Sequence, residues 1–229
     1  MAGDNLTEDC WRVAVIDSGL DLASTLDVRA RCAFKPDGTV QPSAESRPDV
    51  TGHGTRVAGV ICSGAKVPRL IVAQVLNERA VASVAALVGA IHWALDQGAQ
   101  LIHMSLGIAA PREELGVAVA CALDCGTIVV ASAPARGTRP FPARYPGVIA
   151  ATGDARCGPP EVSALFAPNA DYGGCVRLPA DGNGRGRGAS IGAAHVTRFI
   201  VEHVDPGASI ETVRSRLAAL ASHHGVERR

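Results

Sequence analysis

Aromatic side chains are scarce in this sequence, which has 229 residues of which only 3% are Phe, Trp or Tyr. Aliphatic residues must therefore fill the core, and 47% hydrophobic residues are enough for one sizeable domain. An excess of charge is also absent, because 22 basic residues balance 22 acidic ones. A neutral chain gives no electrostatic reason to expect a nucleic acid or an anionic membrane as a partner.

Long hydrophobic runs are missing as well, since none approaches the ~20 residues that span a bilayer. The polar first residues do not resemble a signal peptide. An odd number of cysteines without such a signal predicts reduced thiols and a cytoplasmic protein. Cys121 and Cys125 are four residues apart on a predicted helix, but no second pair completes a zinc site. We therefore expect these two to pack in the core, and we expect no metal or cofactor.

Apolar segments alternate with amphipathic ones along most of the chain. Ser83 caps a predicted helix that Gly98 ends, and Ser209 caps a later one whose inner face includes Leu220. Such alternation predicts an α/β fold with a mostly parallel sheet covered on both faces. We predict one domain over residues 1–229, with loops at 33–52 and 182–188 and a disordered tail at 223–229. The predicted strands are 12–16, 70–76, 101–104, 127–131 and 147–151.

Three short segments carry residues suited to acyl transfer. Asp17 ends an apolar strand in VAVIDSG, His53 begins a helix in GHGTRVAG, and Ser190 lies among small residues in GASIGAAHV. A serine hydroxyl is a weak nucleophile that needs a base, and imidazole is the natural base near neutral pH. A buried carboxylate fixes the imidazole tautomer and stabilises the imidazolium. Each residue also has a structural interpretation, as a turn cap, an exposed ring or a helix cap, but their setting favours a catalytic triad.

The chain order Asp, His, Ser and these motifs resemble the subtilisin-like serine proteases, the subtilase or peptidase S8 family. Further similar segments are LIHMSLG at 101–107, the strand at 127–131 and YPGVIA at 145–150. The resemblance covers about residues 11–220 and implies a three-layer fold with a mostly parallel central sheet. It also implies that His195, just after the nucleophile, is a packing residue.

The resemblance also implies a substrate cleft. In subtilases the SLG segment pairs with an extended peptide and lines the S1 pocket. Pro140 and Phe141 would form one wall of that pocket, which predicts a narrow apolar site for a small side chain. The residues expected to contact substrate are Ser105, Leu106, Gly107, Ala131, Ala133, Pro140 and Phe141.

One position departs from the family in a way that bears on catalysis. Subtilases carry an Asn in a Gly-Asn turn after the strand at 127–131, and its amide donates to the oxyanion. Here Pro134 and Ala135 occupy that turn, so the predicted oxyanion region keeps the Ser190 backbone N–H and loses the side-chain donor. Loss of such a donor costs about 3 kcal/mol of transition-state stabilisation. Arg136 and Arg139 are the nearest alternative donors along the chain.

The sequence therefore predicts a small serine endopeptidase that cleaves one peptide or protein through an acyl-enzyme on Ser190. Two alternatives stay open. The altered oxyanion region suits a peptide-binding or scaffold protein, and the same triad suits a peptide cyclase or transpeptidase in which an amine resolves the acyl-enzyme. A peptide or protein substrate is the expected partner, with no nucleic acid and no membrane. The sequence does not define an oligomeric state.

Overall fold

The chain forms one continuous β-sheet with helices on both faces. A computed structural model describes residues 10–41, 48–178 and 188–226; most of the glycine-rich segment at 182–188 lies outside them. The strands are β1 Arg12–Asp17, β2 Val28–Phe34, β3 Val40–Gln41, β4 Arg69–Gln74, β5 Leu101–Met104, β6 Ile128–Ser132, β7 Ile149–Gly153, β8 Val162–Ala164, β9 Tyr172–Gly174 and β10 His223–His224.

The sheet is mostly parallel, as the sequence predicts. Its strand order is β10-β8-β9-β7-β6-β5-β1-β4-β2-β3. Central strand β1 pairs in parallel with β4 and β5, and β6 continues the parallel series to β7. Only the pairs β2–β3 and β8–β9 run antiparallel among the described strands. The carboxyl ends of the central strands therefore meet at one edge, where open α/β sheets place their sites.

Helices cover the sheet in two layers because each buries one apolar face. One layer packs α1, α4 and α5 on the sheet, and the other packs α2 and α3. Ser83 and Ser209 cap α2 and α5 as predicted, accepting hydrogen bonds from Ala86 N and Thr212 N. None of the described helices is long and apolar enough to cross a bilayer. The helices are α1 His53–Ile61, α2 Val84–Asp96, α3 Glu113–Asp124, α4 Ala189–His203 and α5 Ile210–Ala219.

Three expectations need correction. Leu220 follows the end of α5 and is 42% exposed, so it does not belong to the inner face of that helix. The predicted disordered tail is wrong at its start, because His223–His224 form β10 beside β8; residues 227–229 lie outside the described part. The predicted loop at 33–52 contains the end of β2 and all of β3. Tertiary pairing, rather than local pattern, orders these short edge strands.

Two glycines let helices approach the carboxyl edge of the sheet closely. A Cβ on Gly54, in the first turn of α1, would collide with the carbonyl oxygen of Gly19. A Cβ on Gly192, in the first turn of α4, would collide with the carbonyl oxygen of Thr152 in β7. Only glycine permits both approaches, which bring the starts of α1 and α4 to the edge where β1 ends.

Candidate active site

Asp17 and His53 meet at the carboxyl end of β1. The Asp17 side chain is fully buried, and its Oδ1 accepts a hydrogen bond from Ser18 N at 2.7 Å. The same oxygen lies 2.7 Å from Nδ1 of His53, the first residue of α1. This hydrogen bond raises the pKa of His53 above its ordinary value, and partial burial of the ring opposes the rise. The Asp–His contact expected from the sequence is therefore present.

Ser190 lies in the first turn of α4 and is half-buried. Its backbone N–H belongs to the unpaired first turn of a helix, and within the described residues it has no hydrogen-bond partner. The hydroxyl likewise makes no hydrogen bond within 3.5 Å in the described part of the chain. The hydrogen bond from Ser190 to His53 that a triad leads one to expect is therefore not formed within 3.5 Å in this structure. Such contacts often tighten only when substrate is bound.

Asp49 organises the turn before His53, and the sequence analysis did not identify it. Its carboxylate accepts hydrogen bonds from the hydroxyls of Ser18 and Thr51 and from the amide and hydroxyl of Thr55, at 2.7–3.1 Å. Burial alone would raise the pKa of Asp49, but these hydrogen bonds hold that pKa below its ordinary value. Because Ser18 follows Asp17, Asp49 ties the acid segment to the start of α1. An acid just before the TGHGT turn is the sequence signal.

The residues predicted to form the cleft are partly brought together. Segment 105–107 follows β5, and a Cβ on Gly107 would lie 2.9 Å from the Pro140 ring. Phe141 exchanges backbone hydrogen bonds with Ile108, so the predicted pocket wall is joined to the SLG segment. The side chains of Ala131 and Ala133 instead lie in the core beneath α2 and α3. Those two side chains therefore do not face an open cleft.

The turn predicted to replace the family's Gly-Asn is exposed at Ala135. Asn169 holds this turn in place, because its Nδ2 donates a hydrogen bond to the Pro134 carbonyl oxygen at 2.9 Å. Arg139 is held by the Asp171 carboxylate at 2.9 Å and by two backbone carbonyls, so it does not suit the role of an alternative donor. Arg136 is exposed and has no hydrogen-bond partner within the described residues.

The remaining residues that the sequence analysis singled out are His195 and the seven cysteines. His195 is buried in α4, and its Nε2–H donates to the Arg177 carbonyl, which agrees with a packing role. All seven cysteines carry free thiols, but Cys125 is exposed, so the expectation that the pair at 121 and 125 packs in the core is wrong for it. In the described part of the chain, no three His, Cys, Asp or Glu side chains form a metal-binding group.

The described residues include a strand-end carboxylate hydrogen-bonded to a helix-start histidine, and a serine in the first turn of α4, the helix that packs against α1. A family model described as Subtilase family, Peptidase_S8, matches residues 11–165. The chain belongs to the subtilase family. It is therefore related to serine proteases of the subtilisin type.

Curated relatives support the same assignment. Subtilisin Savinase of Lederbergia lenta is 31% identical over 156 residues, which cover 63% of this chain and 56% of that protein. Alkaline elastase YaB of Bacillus sp. (strain YaB) is 28% identical over 232 residues, covering 93% of this chain and 60% of that protein. Subtilisin NAT of Bacillus subtilis subsp. natto is 28% identical over 241 residues, covering 93% of this chain and 61% of that protein. The chain thus spans little more than half the length of these relatives.

Proposed function

We propose that this chain is a serine endopeptidase that uses Asp17, His53 and Ser190 as a catalytic triad. Ser190 attacks a peptide carbonyl while His53 takes its proton, Asp17 holds the imidazole, and water then frees the acyl-enzyme. The observation that carries the proposal is the 2.7 Å contact between buried Asp17 and His53. A carboxylate hydrogen-bonded to Nδ1 leaves Nε2 as the base, which is the tautomer that acyl transfer requires.

The substrate is proposed to be a peptide in extended conformation beside segment 105–107, paired through its main chain as an added strand. The Pro140 ring packs against Gly107, which narrows the space beside this segment. We therefore expect a small or slim apolar P1 side chain. Such narrow selectivity is what we expect of an enzyme that processes one particular peptide or protein.

The test is incubation of the purified chain with a peptide library, followed by mass spectrometry of the products. We expect cleaved peptides whose P1 residues are small and apolar, and no products from the Ser190→Ala variant. A strong preference for P1 Arg or Lys would refute the pocket assignment. Joined rather than cleaved peptides would replace hydrolysis by a transpeptidase reaction.

A peptide-binding role is the second candidate, and the observation that favours it is Ala135. An oxyanion region without a side-chain donor stabilises the tetrahedral intermediate less well. Peptide retention on the chain without any product would support this role over catalysis.

A cytoplasmic location is proposed from the seven free thiols. Burial raises the pKa of Cys32, Cys62 and Cys157 to about 12, so these three react slowly in the folded protein. Titration with a thiol reagent should count seven thiols after denaturation without reductant, and exposed Cys125 should react early in the native protein. A reproducible deficit of two or more thiols would contradict a reducing compartment.

A further inference from the structure

His103 is a fully buried histidine in β5 that has no role in the proposed triad. Its Nδ1 lies 2.8 Å from the Thr197 hydroxyl in α4, and its Nε2 lies 2.7 Å from the Ser105 hydroxyl. Both ring nitrogens are therefore hydrogen-bonded, as a fully buried imidazole requires. Thr197 is itself fully buried, and Ser105 is 7% exposed.

The contacts continue from His103 to the predicted nucleophile. The Ser105 hydroxyl lies 3.5 Å from the backbone carbonyl oxygen of Ser190, a long hydrogen bond in which Ser105 donates. The side chains of Thr197, His103 and Ser105 thus connect the middle of α4 to the first turn of the same helix. That first turn begins at Gly188 without a side-chain cap, so it lacks the usual local stabilisation.

Counting protons leaves one arrangement that satisfies all three contacts. Burial, aided by the charge of His53, lowers the pKa of His103 to about 3, so the ring is neutral and carries a single N–H. Ser105 has one hydroxyl proton, and donating it to the Ser190 carbonyl requires Ser105 to accept from His103. The N–H is then on Nε2, and Nδ1 accepts the Thr197 hydroxyl proton.

We infer that His103 is a positioning residue, which as the Nε2–H tautomer directs the Ser105 hydroxyl onto the Ser190 carbonyl and so fixes the first turn of α4. This inference rests on the proposed function, because it is the reactivity of Ser190 that the contact serves. The opposite tautomer would make Ser105 donate to the ring, and the contact with Ser190 would be lost.

The experiment measures the second-order rate at which a fluorophosphonate labels Ser190. A small probe of this kind does not depend on main-chain pairing along segment 105–107. Ser105→Ala should slow labelling about tenfold, roughly the loss of one net hydrogen bond. Thr197→Val should slow it less, and the double variant should be no slower than Ser105→Ala, because both changes interrupt one chain of contacts.

Matched variants separate positioning from a loss of stability. Thr197→Ser keeps the hydroxyl that lies beside His103 Nδ1, outside the proposed substrate segment, and should label at close to the parent rate. Thr127→Val removes another buried threonine hydroxyl, bonded to the Ala99 carbonyl at the opposite end of the sheet, and should lower the melting temperature without changing labelling. Additive losses in the double variant, or parent-like labelling by Ser105→Ala, would overturn the inference.

The histidine tautomer is read directly by NMR of the chain with ¹⁵N-labelled histidine. We expect His103 to carry its proton on Nε2, with Nδ1 unprotonated, in both the parent and Ser190→Ala. A proton on Nδ1 would overturn the inference whatever the labelling rates are. If the parent is not labelled at all, the proposed function fails, and the tautomer still decides the arrangement of His103.

Discussion

Asp17→Asn should lower kcat by about 10⁴-fold while leaving the chain folded. The carboxylate lies 2.7 Å from His53 Nδ1 and holds the imidazole with its basic nitrogen directed away from β1. An asparagine of similar size keeps the contact but presents an N–H or a neutral oxygen, so the tautomer and the stabilisation of the imidazolium are lost. The measurement is kcat and KM on a peptide ester, with circular dichroism to establish folding.

Asp17→Asn should also shift the acidic limb of the activity–pH profile to lower pH. His53 acts as a base only when neutral, and Asp17 raises its pKa, so parent activity should fall as pH drops through a value above the ordinary ~6.5. Without the carboxylate the pKa falls, and the residual activity of Asp17→Asn should persist to lower pH. Asp27→Asn, which changes an exposed carboxylate paired with Arg69, is the control. It should leave both kcat and the acidic limb of the pH profile unchanged. An unmoved acidic limb, or a loss of kcat under tenfold, would contradict the assigned role of Asp17.

The combined change Pro134→Gly with Ala135→Asn should raise amide cleavage by up to ~10²-fold. The new amide would join the Ser190 N–H, which lies in the unpaired first turn of α4, as a second donor to the oxyanion. The gain should fall on kcat, because the bond forms only as charge develops on the oxygen. Glycine is needed at 134 because the fixed φ of proline restricts where the next side chain points.

Three comparisons make this test decisive. Pro134→Gly alone should give no gain, and a matched ester and amide pair should show the larger benefit for the amide. Arg136→Ala tests the remaining alternative donor, because Arg139 is already held by Asp171. If the parent cleaves amides with full subtilase efficiency and the double change adds nothing, the oxyanion region is not impaired. A fall in kcat for Arg136→Ala would then identify the donor.

The central strands and capped helices follow from local sequence. Continuous apolar runs give β1, β4, β5 and β6, and Ser83 and Ser209 mark helix starts that the structure places at the same residues. The shorter strands do not show a local signal. β9 reads YGG, which has weak strand propensity, yet a Cβ on Gly174 would collide with the Gly192 carbonyl oxygen in α4. Packing against α4 determines that strand.

The candidate site likewise contains some residues that local sequence predicts and others that it does not. Asp17 and His53 are predictable because an acid after a buried strand and a histidine between glycines are local features that resemble a family motif. The roles of Asp49 and His103 depend on contacts between distant segments. Asp49 joins the segments after β1 and before α1, and His103 joins β5 to α4. Single-sequence patterns do not report such contacts, so His103 reads as an ordinary polar position and Asp49 is marked only by its place just before the TGHGT turn.

The most direct test of the triad is the site and pH dependence of fluorophosphonate labelling. Intact mass and peptide mapping should show one adduct per chain, on Ser190, that is absent from Ser190→Ala. Its rate of formation should rise with pH as His53 loses its proton, with a midpoint above ~6.5 because Asp17 raises the pKa of His53. An adduct that persists in Ser190→Ala, or a folded parent that forms none, would contradict a catalytic Ser190.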